Sequence, residues 1–116
     1  MAVVLADTNS FDALINTDFA VVDFYAYHCG VCVVLAPNFN EVSNEYPLVN
    51  FIKVNVDEGP TLCKRFHITG LPTVVCFRDG KEVYRTGYGP RTREDMEGIL
   101  GKLLYGKKDP SPYAKD

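Results

Sequence analysis

The chain has no tryptophan, only two histidines and two methionines, and 116 residues in all. It also lacks a long apolar run. No stretch approaches the length that spans a bilayer, so no transmembrane helix and no membrane partner are expected. It lacks a basic cluster, and the net charge is −3, which does not suit a nucleic-acid surface. Its first residues, MAVVLADTNS, have no basic leader segment and read as a first strand rather than a signal peptide. The simplest location on that reading is the cytoplasm. There a pair of nearby cysteines is catalytic or metal-binding more often than a structural disulfide. No internal repeat and no second domain are visible. What is present is ordinary globular composition, 47% hydrophobic and 23% charged, in a length that buries a core without staples.

The chain is organised around residues 21–37, VVDFYAYHCGVCVVLAP. An apolar run over residues 19–26, broken by one acid, Asp23, leads to Cys29 and Cys32 with Gly30 and Val31 between them. The pattern predicts a buried strand, a tight turn and a helix. Two residues between cysteines at a helix start bring the sulfurs within bonding distance across one turn. The first sulfur then lies beside unpaired backbone N–H groups, where the helix dipole favours an anion. A lowered thiol pKa follows, and the thiolate is the attacking species. A cysteine one turn further in is placed to resolve a mixed disulfide formed at the first.

Around this centre the pattern alternates. Residues 3–6 are a short strand. Asp7, Thr8 and Asn9 are capping types before a short helix carrying Phe11, Leu14 and Ile15. Residues 19–26, apolar on both faces, predict a central strand in a sheet covered on both sides. A helix over residues 30–46 presents Leu35, Phe39 and Val42, with a kink expected at Pro37. Residues 49–56 are a second buried strand. Gly59-Pro60 opens a short helix. Residues 73–77 and 82–88 form a hairpin about Asp79-Gly80. Thr92 begins a last helix to about residue 104, with Met96, Ile99, Leu100, Leu103 and Leu104 as its apolar face. The order β-α-β-α-β-α-β-β-α predicts an α/β fold with a mixed sheet and helices on both faces. The domain should occupy residues 1–104, with residues 105–116 a polar, mobile tail.

The segment around Cys29 resembles the active-site segment of the thioredoxin family, with Asp23, Cys29, Gly30, Cys32, Ala36 and Pro37 in matching places. GLPT at residues 70–73 is similar to that family's cis-proline loop, and FRDGKEV at residues 77–83 to its last hairpin. The resemblance covers residues 3–104. It implies the thioredoxin fold, a three-layer α/β/α arrangement, and a thiol–disulfide oxidoreductase acting on protein disulfides, with Cys29 attacking and Cys32 resolving. It implies recharging by a thioredoxin reductase or another thiol reductant, no bound cofactor and a monomer. Asp23, in an apolar run, has a raised pKa by burial and suits proton exchange with the resolving thiol; the other reading is a solvent-facing edge residue. Lys53 matches the lysine that neighbours that acid, or is an ordinary strand lysine. Pro72 would be cis and Leu71 would offer its backbone to an extended substrate segment; the other reading is a plain turn proline. Gly87 matches a glycine flanking the site, or marks a strand end. Tyr27, His28, Leu71 and Tyr88 suggest an apolar rim. Cys76 reads as a buried small hydrophobe, and Cys63 as a half-buried bystander or a regulatory thiol.

Three positions depart from the family pattern. His28 stands where tryptophan is usual, Val31 where proline separates the cysteines, and Val33 where lysine follows them. A protonated His28 favours the Cys29 thiolate, and the free N–H of Val31 is available to the sulfur. Both push the couple towards oxidising; the missing lysine charge pushes back more weakly. The net expectation is a less reducing couple than in a typical member. Two other readings compete: a binding module that keeps the fold without turnover, and a metal-binding C-x-x-C. The latter lacks a second compact ligand pair among Cys63, Cys76, His28 and His67.

Overall fold

A computed structural model describes residues 3–87 and 89–106. Nine elements follow the expected order: β1 (Val3–Leu5), α1 (Phe11–Ile15), β2 (Phe19–Tyr25), α2 (Gly30–Ser43), β3 (Asn50–Asn55), α3 (Pro60–Arg65), β4 (Thr73–Arg78), β5 (Lys81–Arg85) and α4 (Arg93–Tyr105). They build one five-stranded sheet in the order β1-β3-β2-β4-β5. β3 runs parallel to both β1 and β2, while β2–β4 and β4–β5 are antiparallel. β2 is the middle strand, and all but its first residue are buried, which is what its unbroken apolar run requires. Residues 105–116, read as a tail, begin in α4 with Tyr105; those from 107 onward lie outside the described residues.

Two apolar clusters lie on opposite faces of the sheet. On one, Leu35, Phe39 and Val42 of α2 and Met96, Ile99, Leu100 and Leu103 of α4 pack on Val21, Phe51, Val74 and Cys76. On the other, Phe11 and Ile15 of α1 and Leu62 of α3 pack on Val22, Phe24, Ile52, Val75 and Phe77. The period-2 alternation of the strands sends neighbours to opposite clusters, and this makes the α/β/α layering. Phe11, Phe24, Phe66 and Phe77 add edge-on and tilted ring contacts with centroids 5.3–6.3 Å apart.

Element ends differ from the sequence expectation for local reasons. The cap of α1 is Ser10, and Asp7 pairs with it reciprocally: Asp7 N–H donates to Ser10 Oγ (3.0 Å) and Ser10 N–H to Asp7 Oδ1 (2.8 Å). α2 runs through Pro37 as one helix but stops at Ser43 rather than near Tyr46. There the Ser43 hydroxyl donates to the Asn40 carbonyl (2.5 Å), a local bond that competes with helix continuation. β5 ends at Arg85, not at residue 88. Its partner β4 begins at Thr73, directly after a proline that has no N–H, and the pairing closes with Thr86 N–H donating to Val74 O (3.1 Å). The hairpin turn has positive φ at both Asp79 (54°) and Gly80 (80°), as the Asp-Gly pair predicts. α4 starts from a complete capping box between Thr92 and Asp95.

Just past the end of α3, after its C-cap Phe66, His67 takes φ +55°. Its N–H donates to Lys64 O (3.3 Å), and Ile68 N–H to Cys63 O (2.9 Å). This bonding pattern closes a helix around a left-handed residue, a place usually held by glycine. His67 is exposed there. His67→Gly should therefore stabilise the fold by about 0.5–1 kcal/mol, read as a raised midpoint in urea with an unchanged slope; a lowered midpoint would show that the imidazole itself holds the turn.

Candidate active site

The strand β2 delivers the chain to the sheet's end, and α2 carries it back over the face that holds Val21 and Phe51. The junction between them is the site. Cys29 and Cys32 form a disulfide with Cα atoms 5.2 Å apart. Cys29 is the N-cap of α2, half-buried, and its Sγ accepts the Cys32 N–H at 3.2 Å. The donor to that sulfur is thus the Cys32 amide, not the Val31 amide singled out from the missing proline. Cys32 is 3% exposed. One sulfur faces the mouth and one lies behind it, so the two thiols differ in access although they share a helix turn.

The Leu71–Pro72 bond is cis. Thr73 Oγ1 donates to the Gly70 carbonyl at 2.6 Å and closes the loop before β4 starts. Asp23 lies on β2, six residues before Cys29, in register with Lys53 on β3 and Val74 on β4. It is fully buried, and neither carboxylate oxygen has a hydrogen-bond partner. Burial pushes its pKa from 3.8 up to about 7, against the opposing pull of the Lys53 charge. The edge-strand reading of Asp23 is thereby removed. Tyr25, two residues on, is pushed up to about 12, first by burial and then by Tyr27.

His28 faces away from an isolated role. Its Nδ1 lies 3.6 Å from Asp57 Oδ2, with both side chains largely exposed. A charge on His28 is shared with that carboxylate, which weakens its hold on Cys29. Asp57 is itself pinned: its N–H donates to the Oδ1 of buried Asn55 (2.9 Å). Neither residue stood out in the sequence, where the only signal was an Asn two positions before an Asp, an Asx-turn spacing.

Gly87 and Gly89 exchange parts. A Cβ added at Gly87 meets nothing within 4 Å, whereas at Gly89 it meets Pro72 Cδ at 3.1 Å and Val31 Cγ1 at 3.2 Å. Gly87 instead borders a cavity of about 600 Å³ with His67, Thr69 and Arg85. Gly89 is the residue that lets the cis-proline loop and the first turn of α2 approach. Gly89→Ala should cost about 1–3 kcal/mol of stability and slow disulfide exchange. Gly87→Ala should change neither. Equal effects in denaturant unfolding and exchange assays would refute the distinction.

Of the rim, Tyr27 is 75% exposed and Leu71 half-buried, while Tyr88 lies outside the described residues. Gly30 and Val31 sit in the first turn of α2, beside the disulfide. Cys63 is half-buried, its thiol pKa raised by burial and by Asp57. Cys76 is fully buried with its pKa raised, an inert thiol. Among the described residues no three His, Cys, Asp or Glu side chains gather as a metal site, and no helix is long and apolar enough to cross a membrane.

A dithiol pair at a helix start, facing a cis-proline loop at the end of a mixed sheet, defines a thiol–disulfide oxidoreductase. The comparisons agree. The sequence model of one family, Thioredoxin, matches residues 2–102. The thioredoxin of Staphylococcus saprophyticus is 33% identical over 106 residues, covering 90% of this chain and all of that protein. Plasmodium falciparum thioredoxin superposes with a TM-score of 0.79 at 28% identity, over 90% of this chain and 100% of that one. Oxidised mitochondrial thioredoxin 3 of Saccharomyces cerevisiae gives 0.78 at 31% identity, over 87% and 95%. The chain belongs to the thioredoxin family. Its partners are, at that level, protein disulfides and the reductants that recharge the couple.

Proposed function

We propose that Cys29 is the attacking thiol and Cys32 the resolving thiol in reduction of protein disulfides. The Cys29 thiolate attacks one sulfur of the substrate disulfide, and the other substrate sulfur leaves as a thiolate. Cys32 then gives its proton to the Asp23 carboxylate and attacks Cys29 Sγ. The second substrate thiolate leaves, and the Cys29–Cys32 disulfide closes. Two electrons pass from the dithiol to the substrate, so no bound cofactor is required. The observation that carries this assignment is the asymmetry of the pair: Cys29 is half-buried at the N-cap and accepts the Cys32 N–H, whereas Cys32 is enclosed. The N-cap position stabilises a thiolate on Cys29 by the unpaired amides and the helix dipole.

Leu71 and Pro72 offer backbone for an extended substrate segment, with His28, Gly30 and Val31 on the opposite side of the mouth and Gly89, rather than Gly87, keeping the floor clear. Lys53 tunes Asp23 through its charge. The enzyme is recharged by a thioredoxin reductase or another thiol reductant. A monomer suffices for this chemistry, because both cysteines come from one chain. Its net charge of −3 disfavours nucleic acid. The working unit is residues 1–104. The cytoplasm, a reducing compartment, suits the free thiols Cys63 and Cys76. The test is equilibrium titration of the couple in a thiol redox buffer, with Cys63 and Cys76 changed to Ser. A single two-electron transition is expected; its absence from a folded protein would overturn the proposal.

A further inference from the structure

Lys53 stands in register with Asp23 across the parallel β2–β3 pair. A lysine so placed is the obvious ion-pair partner of a buried carboxylate, yet that pair is not made. Both Asp23 oxygens are buried without a hydrogen-bond partner, while Lys53 Nζ lies 4.4 Å from the centroid of the Tyr25 ring. Tyr25 follows Asp23 by two positions on β2, so both side chains rise from the same sheet face, as does Lys53 from β3. Tyr25 is 7% exposed, and Tyr27 packs edge-on against it with ring centroids 5.7 Å apart. A ring this enclosed is a good seat for an ammonium, because the attraction of a cation for a ring face grows when water is excluded.

We propose that Tyr25 is a positioning residue for the disulfide exchange: its ring holds the Lys53 ammonium and withholds it from Asp23, leaving the carboxyl without a counter-charge in contact. The remaining surroundings offer no substitute. β4 presents uncharged Val74 in register and the neutral thiol of Cys76 on the same face. α2 and α4 cover that face with apolar side chains, and α2 begins at the disulfide. The Tyr25 phenol is raised first by burial, then by Tyr27 and Asp23, and least by Glu58 beyond β3. Burial is what raises the Asp23 carboxyl, and Lys53 is the cation whose charge opposes that rise.

The catalytic meaning of this device rests on the reading of Asp23 as the proton-transfer group, but its test does not. The Asp23 carboxyl of the oxidised full chain is titrated by carbon-13 NMR. In Tyr25→Leu the midpoint should fall by about one pH unit or more, as Lys53 swings onto the carboxylate. Tyr25→Phe, which keeps the ring, should retain the wild-type midpoint. Adding Lys53→Met to Tyr25→Leu should cancel the fall. An unchanged or raised midpoint in folded Tyr25→Leu overturns the proposal. If that variant does not fold, the wild type still decides. Lys53 ε-methylene protons over a ring face must resonate upfield, and unshifted signals overturn the proposal equally. If the midpoint falls while the pH profile of mixed-disulfide resolution stays in place, the positioning by Tyr25 stands and the catalytic reading of Asp23 fails.

Discussion

Cys29→Ser is expected to bring reduction of a protein disulfide down to the uncatalysed rate, while Cys32→Ser accumulates a mixed disulfide on Cys29. The two effects differ because the two sulfurs differ in access and in amide contact. Cys29 is at the mouth and accepts the Cys32 N–H; Cys32 is 3% exposed. Only the thiolate attacks, and the helix N-terminus favours it at Cys29. Removing that sulfur removes the first step. Removing the sulfur of Cys32 leaves the first step intact and deletes the second, so the covalent adduct persists until an external thiol releases it. Mass spectrometry of protein quenched during turnover separates the outcomes. A trapped adduct on Cys29→Ser, through Cys32, would reverse the assignment. Turnover by Cys29→Ser at the wild-type rate would exclude it.

Asp23→Asn should make the protein more stable at alkaline pH, by up to about 4 kcal/mol, while slowing resolution of the mixed disulfide. The Asp23 carboxyl is raised from 3.8 to about 7 on folding, because burial disfavours its charge. Between those two pH values the native state holds a proton that the unfolded state has lost. Stability therefore falls as pH rises through this window, and the full penalty is present above pH 7. Asn cannot ionise and escapes the penalty. Wild type and variant should be nearly equal near pH 4 and diverge towards pH 8, as read by denaturant unfolding across pH. A difference that is flat with pH would mean that Asp23 titrates alike in both states. A resolution step unaffected by the change would remove Asp23 from proton transfer.

Much of this molecule was legible from residue pattern. The apolar run before Cys29 announced a central strand, and β2 is one. Leu35, Phe39 and Val42, and Met96, Ile99, Leu100 and Leu103, announced two helix faces that now share a cluster. Asp79-Gly80 announced its turn, and Cys29-Gly30-Val31-Cys32 a dithiol at a helix start. These signals are local: each depends on the side-chain period or backbone freedom of a few consecutive residues. Strand and helix ends were less legible. A hydroxyl bonding back in the chain at Ser43, or a partner strand that stops at a proline, decides them.

The sequence by itself determined the fold class and the cysteine pair at a helix start, because apolar periodicity and cysteine spacing are properties of the chain alone; the burial of Asp23 it only favoured, and the structure decided it. Only the tertiary structure decided which glycine clears the site. The motif match pointed to Gly87, but the choice of Gly89 depends on how closely Pro72 and Val31 approach from two other segments. It alone turned His28 towards Asp57 rather than leaving it to the sulfur, and Lys53 towards the Tyr25 ring rather than to Asp23. Such choices are competitions between partners brought together from separate elements. Their outcome rests on distances and desolvation, which no spacing along the chain encodes.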